Sequence, residues 1–299
     1  MRKKVDLAVG LKPFAIASHV DLSKTNERDQ FQIVCYENNN IAFFSESVVL
    51  VEGDSDYIAL AHLARVINPA RDCRQVPVAF ARISGKGCIR RYCEFFRRFQ
   101  MRVSLITDLD FLLGAEFFQI DPAPELRDQR EQFIRAVDAV LETERREGAP
   151  AVERAARAEQ KPRIREAYRR AGQLEALRRV GQATSEQVDA AFREAEDAER
   201  EWARTDVLKK HQDAGFLEQK RALLEALRNC DVYVWEKGAI DDYDPAGITG
   251  NGKPARAQSF CGAVGTREQA IALCAGGHRK RTGEPASEFE AVFDGIFRA

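Results

Sequence analysis

The sequence has no nucleotide-binding P-loop, because no Gly-x-x-x-x-Gly-Lys-Ser/Thr pattern occurs in its 299 residues. The nearest approach, residues 247–254, has the wrong glycine spacing and lacks a hydroxyl residue after Lys253. No Cys-x-x-Cys pair occurs and the 4 histidines lack ligand spacing, which argues against a zinc site. No apolar run approaches the roughly 20 residues of a membrane-spanning helix.

The chain also lacks a large excess of positive or negative charge. The net charge is −1 with 31% charged residues, so the whole chain shows no global attraction to nucleic acid. Hydrophobic residues make up 44% of the chain, enough for the core of one large or two modest domains. The 7 cysteines are odd in number, and the first residues contain no hydrophobic signal segment. We therefore expect free thiols and a cytoplasmic protein.

A first acidic motif follows a short aliphatic run. Ser47–Val51 predicts a strand buried on both faces, and it ends at Glu52 and a turn-permitting glycine. A helix is predicted next, with Asp54 or Ser55 as its N-cap and Asp56 in its first turn. The helical pattern predicts four inward residues: Ile58, Ala61, Leu63 and Val66. Because ligands of open α/β sheets bind at the carboxyl ends of the strands, this motif marks a candidate site.

A second acidic motif, Asp108 and Asp110, follows another predicted strand, Val103–Thr107. Residues two apart point to the same side of an extended chain, so the two carboxylates are expected to converge while Leu109 points away. Carboxylates about 4 Å apart repel each other by roughly 4 kcal/mol at an effective dielectric of about 20. Cations, protonation or a larger separation can offset that repulsion. Oxygen-only ligands select hard ions such as Mg²⁺ or Mn²⁺.

Residues 71–102, which link the two acidic motifs, are locally basic. They contain 9 basic and 2 acidic residues, a net charge of +7. A strand, a glycine-flanked loop and an amphipathic helix over 88–100 are predicted here. The basic residues form either a solvated helix face or a phosphate-binding surface. On the second alternative, the DNA-binding residues are Lys86, Arg90 and Arg91, with Lys86 as the first phosphate contact.

Residues 119–228 are rich in Ala, Arg, Glu and Leu and poor in β-branched residues, which predicts long helices. Helix breaks are expected at Gly148–Pro150, Lys161–Pro162, Gly181 and Gly215. Thr184–Gln187 is typical of a capping box. Because the charges are nearly balanced, we expect a helical bundle with a structural or partner-binding role.

The sheet is predicted to resume at Asp231–Glu236, followed by Lys237–Tyr243. A strand ending in Glu-Gly with Asp four residues after the Glu, and a later strand ending in Asp-x-Asp, together resemble the Toprim domain. The segment Lys237–Tyr243 narrows the resemblance to the OLD (overcoming lysogenization defect) family, whose Toprim domain is split by a helical insertion. The resemblance covers roughly residues 41–118 and 229–262. Asp241 stands where the family usually has Glu, so it keeps the charge and loses one methylene of reach.

The resemblance implies an α/β fold, in which a Rossmann-like, mostly parallel Toprim sheet is flanked by helices and interrupted by an inserted all-α domain. The implied parts are a linker from an ATPase domain (1–46), a first Toprim part (47–118), the helical insertion (119–228) and a second Toprim part (229–299). The family's N-terminal ATPase is absent from the sequence. The chain is therefore expected to be the nuclease half of an ATP-dependent nuclease, with DNA, the ATPase domain and a helicase-like protein as implied partners and phage defence as the implied setting.

The implied activity is a metal-dependent DNA endonuclease or nickase that hydrolyses phosphodiesters with two Mg²⁺ or Mn²⁺ ions. The implied metal ligands are Glu52, Asp56, Asp108, Asp110 and Asp241. Lys237, Glu52 and Asp108 are the implied catalytic residues, and Lys237 would offset charge that develops in the transition state.

Two other function classes stay open at this point. One is a topoisomerase- or primase-type Toprim domain, which needs a nucleophilic tyrosine, usually in another domain, or a zinc ribbon. The other is a non-catalytic DNA-binding scaffold. Such scaffolds tend to lose their acidic residues, whereas this sequence retains them.

Overall fold

The computed structural model describes residues 2–4, 14–16, 37–83, 85–274 and 276–298. The strands are β1 (Arg2–Lys4), β2 (Phe14–Ile16), β3 (Ser47–Val51), β4 (Val78–Arg82), β5 (Arg102–Thr107), β6 (Val232–Val234), β7 (His278–Arg279) and β8 (Pro285–Ala286). The α-helices are α1 (Asp54–Ile67), α2 (Ile89–Arg98), α3 (Pro124–Glu147), α4 (Ala149–Glu159), α5 (Pro162–Arg179), α6 (Ser185–Lys210), α7 (Ala214–Asn229), α8 (Lys253–Ala263), α9 (Arg267–Ala272) and α10 (Glu288–Ile296). Most of the predicted linker, residues 1–46, lies outside the described residues.

The chain forms two compact units. The first comprises residues 1–122 and 224–299, and the second comprises residues 123–223. The first unit contains every described strand, and the second consists of helices. The predicted fold class, a mostly parallel sheet flanked by helices with additional helical content, is confirmed.

The sheet that carries the acidic motifs has four strands in the order β4-β3-β5-β6, and all neighbouring pairs are parallel. From β3 the chain crosses to β4 on one side, whereas from β5 it continues to β6 on the other. The strand order therefore reverses between β3 and β5. In open α/β sheets a crevice forms at that switch point, outside the carboxyl ends of the two strands.

Both faces of the sheet are covered, as the aliphatic strands predict. Val49 and Val51 of β3 lie in one core cluster with Leu60 and Leu63 of α1, and the alternate residues of β3 are buried as well. On the other side, α2 contacts β3 and β5. The predicted inward stripe of α1 is confirmed for Leu63, which is buried, and for Ala61 and Val66, which pack partly buried against the same core. It is wrong for Ile58, and it missed four buried apolar residues: Ala59, Leu60, Ala64 and Ile67. The helix also contacts α8 and β4, so more than one side of it is covered.

The second unit is an assembly of α3–α6 and the first part of α7. Thr184 caps α6 through the predicted capping box, in which its Oγ1 accepts from Gln187 N at 3.2 Å. Asp206 lies at the centre of an ion network, 2.9 Å from Arg157 and 2.7 Å from Lys210. The predicted break at Gly215 is wrong, because α7 already begins at Ala214 and Asp213 Oδ1 accepts from Phe216 N. The side chain of Asp213 marks the start of the helix, two residues before the position that the glycine indicated.

In the described part of the chain, the helices are all too short or too polar to cross a membrane. Cysteines 73, 88, 93, 230, 261 and 274 are free thiols.

We predict that Gly295→Ala destabilises the first unit by about 1–3 kcal/mol, since overpacking a tight core has that cost. A Cβ at Gly295 would lie 2.3 Å from Tyr233 Oη and 2.9 Å from two ring carbons, and Tyr233 is itself buried. Gly262→Ala in α8 is the matched control, because a Cβ there meets nothing within 4 Å. Alanine is a better helix former than glycine by about 1 kcal/mol. The Gly262→Ala variant is therefore expected to unfold at the same urea concentration as the unmodified chain or at a higher one. Equal urea midpoints for the two variants would contradict the packing argument.

Candidate metal centre at the sheet edge

The switch point brings two acidic residues together across neighbouring strands. Glu52 directly follows β3, and Asp108 directly follows β5. Thr107 Oγ1 donates a hydrogen bond to Glu52 Oε1, and the backbone N–H of Asp108 lies 3.3 Å from the same oxygen. The end of β5 therefore holds the carboxylate of Glu52 in place.

The N-terminus of α1 adds a third carboxylate. The N-cap is Gly53, and neither Asp54 nor Ser55 has that position, so this detail of the prediction is wrong. Asp56 reaches back from the first turn, and its Oδ2 accepts from the Gly53 N–H at 2.8 Å. One oxygen of Asp56 is therefore engaged with the backbone beside Glu52.

The carboxylates line a pocket of about 320 Å³ at this edge. Of the five predicted metal ligands, four line it: Glu52, Asp56, Asp108 and Asp241. Asp241 comes from a 3₁₀-helix, Ile240–Tyr243, that follows β6. Two cationic residues that the sequence did not single out for this role, Arg82 and Lys253, also line the pocket. Lys253 begins α8, and only the fold reveals that this helix starts at the acidic edge.

Asp110 takes a different position from the predicted one. Residues Leu109–Leu112 form a 3₁₀-helix, so the extended-chain argument for Asp108 and Asp110 is wrong, and Leu109 is fully buried. Lys86 Nζ bonds to Asp110 Oδ1 and lies 3.7 Å from Glu52 Oε2. Lys86, predicted as a phosphate contact, thus lies between two of the acidic side chains.

Crowding of the carboxylates changes their acidity. Burial, together with the charges of Glu52 and Asp56, raises the pKa of Asp108 to about 8. Burial also raises the pKa of Asp56 to about 6, against the lowering effect of the Gly53 amide. Burial disfavours the charge of Lys86, but the hydrogen bond to Asp110 and the charge of Glu52 outweigh it and raise its pKa. Burial and mutual repulsion therefore both disfavour the charged carboxylates, and their oxygens fit divalent cations such as Mg²⁺ or Mn²⁺.

The other predicted cations lie elsewhere. Lys237 Nζ donates to the carbonyl of Leu273 and lies 5.3 Å from the ring centroid of Tyr243, and Lys237 is not one of the residues that line the pocket. Arg90 Nη2 donates to the carbonyl of Phe118 at 2.8 Å, and Arg91 is exposed on α2. The roles predicted for these three residues stay predictions.

A second acidic cluster lies in the core of the first unit. Ligand atoms of Glu236, His278 and Glu288 all lie within 4.8 Å of one another, and the three residues are buried. On distance alone this group could hold a metal ion. The sequence offered no signal for it, because the three residues come from separate parts of the chain.

Comparison with protein families matches residues 43–110 to the model described as overcoming lysogenization defect protein-like, TOPRIM domain. No curated protein and no solved structure matches the chain. The predicted OLD-like Toprim region is thereby confirmed over residues that include Glu52, Asp56, Asp108 and Asp110. Toprim domains of this type belong to nucleases of DNA metabolism and generally bind divalent metal ions.

The shifted pKa values predict how the stability of the metal-free protein depends on pH. An aspartate side chain ordinarily has a pKa of 3.8, whereas Asp108 in the folded protein holds its proton up to about pH 8. The folded state therefore binds more protons than the unfolded state between these values, and stability falls as pH rises through that window. We expect Asp108→Asn to melt at a higher temperature than the unmodified chain in EDTA, with a difference that grows from pH 5 to pH 8.

Asp128→Asn, on the exposed surface of α3, is the control and is expected to show no such pH-dependent gain. A melting difference for Asp108→Asn that stays constant across this pH range would show that Asp108 is not protonated in the folded chain.

Proposed function

We propose that this chain, with its OLD-like Toprim region at residues 43–110, is a divalent-metal-dependent DNA nuclease that hydrolyses phosphodiester bonds as an endonuclease or nickase. The observation that carries the proposal is the pocket at the switch point, where carboxylates from four separate parts of the chain converge. Burial is the main cause of the raised pKa values of Asp56 and Asp108, and the charges of the neighbouring carboxylates add to it. Such an arrangement is costly for a fold that has no cation to bind.

Four carboxylates of the pocket are the proposed metal ligands. Glu52, Asp56 and Asp108 are the proposed inner ligands, with Asp241 as a further ligand from the 3₁₀-helix after β6. Thr107 and the Gly53 amide fix two of these carboxylates before any ion binds. When bound, two Mg²⁺ or Mn²⁺ ions would supply an acidified water and charge neutralisation at the leaving oxygen.

Positive groups around the pocket provide a path for the phosphate backbone. Lys253 and Arg82 line the pocket itself, and Arg82 Nη1 is 2.5 Å from Asp54 Oδ1. Arg90 and Arg91 lie on α2, within the +7 segment. We propose that DNA runs over this side of the unit. The resemblance to OLD-family nucleases implies an ATPase domain, which would act beside this unit and regulate the access of DNA to the pocket.

A topoisomerase role has less support. Such an enzyme needs an accessible nucleophilic tyrosine, and Tyr92, Tyr233 and Tyr243 of the first unit are 1–2% exposed. Tyr168 of the helical unit is 37% exposed, but its hydroxyl donates to Glu199 at 2.6 Å, and burial and that bond raise its pKa to about 12, which disfavours the nucleophilic anion. The non-catalytic scaffold remains the main competitor, and the cleavage experiment below separates it from a nuclease.

We predict that the full chain relaxes or linearises supercoiled plasmid with Mg²⁺ or Mn²⁺ and without ATP. EDTA is expected to abolish cleavage. Glu52→Gln and Asp108→Asn are expected to lose about 100-fold or more in rate, since even outer-shell partners of metals cost about 10–100-fold. Glu94→Gln, an exposed acid on α2, is the matched control and is expected to cut normally.

Plasmid that stays supercoiled with Mg²⁺, Mn²⁺ and Ca²⁺ alike would overturn the nuclease proposal. If the same preparation still bound DNA, it would favour the scaffold.

DNA affinity and chemistry are predicted to separate in a second set of variants. Arg90→Ala and Arg91→Ala are expected to weaken DNA binding and to reduce the slope of log K against log salt by roughly one each. Lys253→Ala is expected to lower the single-turnover rate with little change in affinity, because its proposed partner is charge that develops in the transition state. Lys237→Ala tests the same role for the lysine that the sequence predicted.

Fluorescence-anisotropy titrations at several salt concentrations, paired with single-turnover cleavage, measure both quantities. An unchanged salt slope in both arginine variants would make the basic face of α2 a solvated surface. If Lys237→Ala lost rate and Lys253→Ala did not, the catalytic lysine would be the predicted one.

A further inference from the structure

The buried Glu236–His278–Glu288 cluster lies where β6 passes into the segment that carries Asp241. Glu288 begins α10 and is fully buried. Its Oε1 accepts from the backbone N–H of Glu236 at 2.7 Å, and its Oε2 accepts from the hydroxyl of Tyr243. Both oxygens of Glu288 therefore bind donors from the 236–243 segment, one at each end.

Donor and acceptor accounting argues against an ion in this cluster. Arg228 Nη2 lies 3.1 Å from His278 Nδ1, and a guanidinium has donors only. Nδ1 then accepts from Arg228, while Nε2 lies 2.7 Å from Glu236 Oε2 without forming a hydrogen bond of good geometry with it. A metal-bound histidine needs the reverse, a lone pair on the metal side and an acceptor for its other N–H. The contact with Arg228 occupies the lone pair of Nδ1, so His278 lacks the acceptor for its other N–H that a metal-bound histidine needs.

The same segment is tied to the acidic pocket on its other side. The backbone N–H of Leu109, between the two acids of the second motif, donates to Gly238 O at 2.7 Å. Lys237 N lies 3.2 Å from the hydroxyl of Tyr243, and Asp242 Oδ2 accepts from Ala239 N at 2.7 Å. Asp241, in the 3₁₀-helix between these anchors, lines the pocket.

We propose that Glu288, with Glu236, His278 and Arg228 behind it, is a positioning network that holds the 236–243 segment through Tyr243 and so places Asp241 at the acidic pocket. As far as Asp241 acts as a metal ligand, the inference rests on the nuclease function proposed above.

Amide hydrogen exchange tests the positioning without metal or DNA. Tyr243→Phe removes one hydroxyl and keeps the ring. The ring centroid lies 5.1 Å from that of Phe289 and 5.6 Å from that of Trp235. In EDTA, peptides over 236–244 are expected to exchange about tenfold faster in this variant. Tyr233→Phe is the matched control: it removes a buried hydroxyl from the neighbouring strand β6, 3.5 Å from Asp231, and is expected to leave these peptides unchanged.

Glu288→Gln is the second variant, and it keeps the shape of the side chain while presenting an amide NH₂ to one of the two donors. It is expected to speed exchange of the same peptides at least as much as Tyr243→Phe. Exchange of residues 236–244 that matches the unmodified chain in both variants would overturn the proposal, whatever the melting temperatures.

Mn²⁺ binding, followed by the EPR signal of the free ion, tests the link to Asp241. Tyr243→Phe is expected to weaken Mn²⁺ binding about tenfold, and Tyr243→Phe combined with Asp241→Asn is expected to bind no more weakly than Asp241→Asn alone. Additive losses would show that Tyr243 does not act through Asp241 and would overturn that step. A full chain that binds no Mn²⁺ would instead remove the nuclease proposal, and the exchange comparison would then decide the positioning by itself.

Discussion

Repulsion between carboxylates is the constraint on which the site depends. Glu52, Asp56 and Asp108 lie close enough that burial and mutual charge raise the pKa of two of them. Proteins seldom maintain such crowding without a cation, because each close pair costs several kcal/mol in a partly buried setting. Here the backbone and one hydroxyl hold the acids in place: Thr107, the Gly53 amide and the Asp108 amide all donate to them.

The sheet and its acidic edge could be predicted because their signals are local. Ser47–Val51 and Arg102–Thr107 are short, aliphatic and followed at once by acids, and a parallel sheet buried on both faces leaves few other structures for such runs. Once both strands are parallel neighbours, Glu52 and Asp108 must meet at one edge. The helical content of residues 123–223 was predictable for the same reason, since composition and caps act within a few residues.

The cations could not be placed from the sequence, because their positions depend on long-range packing. Lys86 was predicted to face DNA, yet its ammonium bonds to Asp110 near Glu52. Lys253 reaches the pocket only because α8 begins there, after a glycine turn whose course no local pattern specifies. The contacts around Glu288 could not be predicted for the same reason. Arg228 and Glu288 are 60 residues apart in the sequence, and only the fold brings them together.

Lys86 compensates charge at the acidic edge, and this observed role bears on its predicted role as a phosphate contact. While its ammonium pairs with Asp110 and Glu52, it serves as the counter-charge of the acidic edge and is not available to a phosphate. A divalent ion on the same carboxylates would carry that counter-charge in its place. Glu52 is already held by Thr107 and the Asp108 amide, so it would not have to move when this exchange occurs, whereas the side chain of Lys86 would. The predicted phosphate contact of Lys86 is therefore expected only where another cation compensates the charge of Asp110 and Glu52.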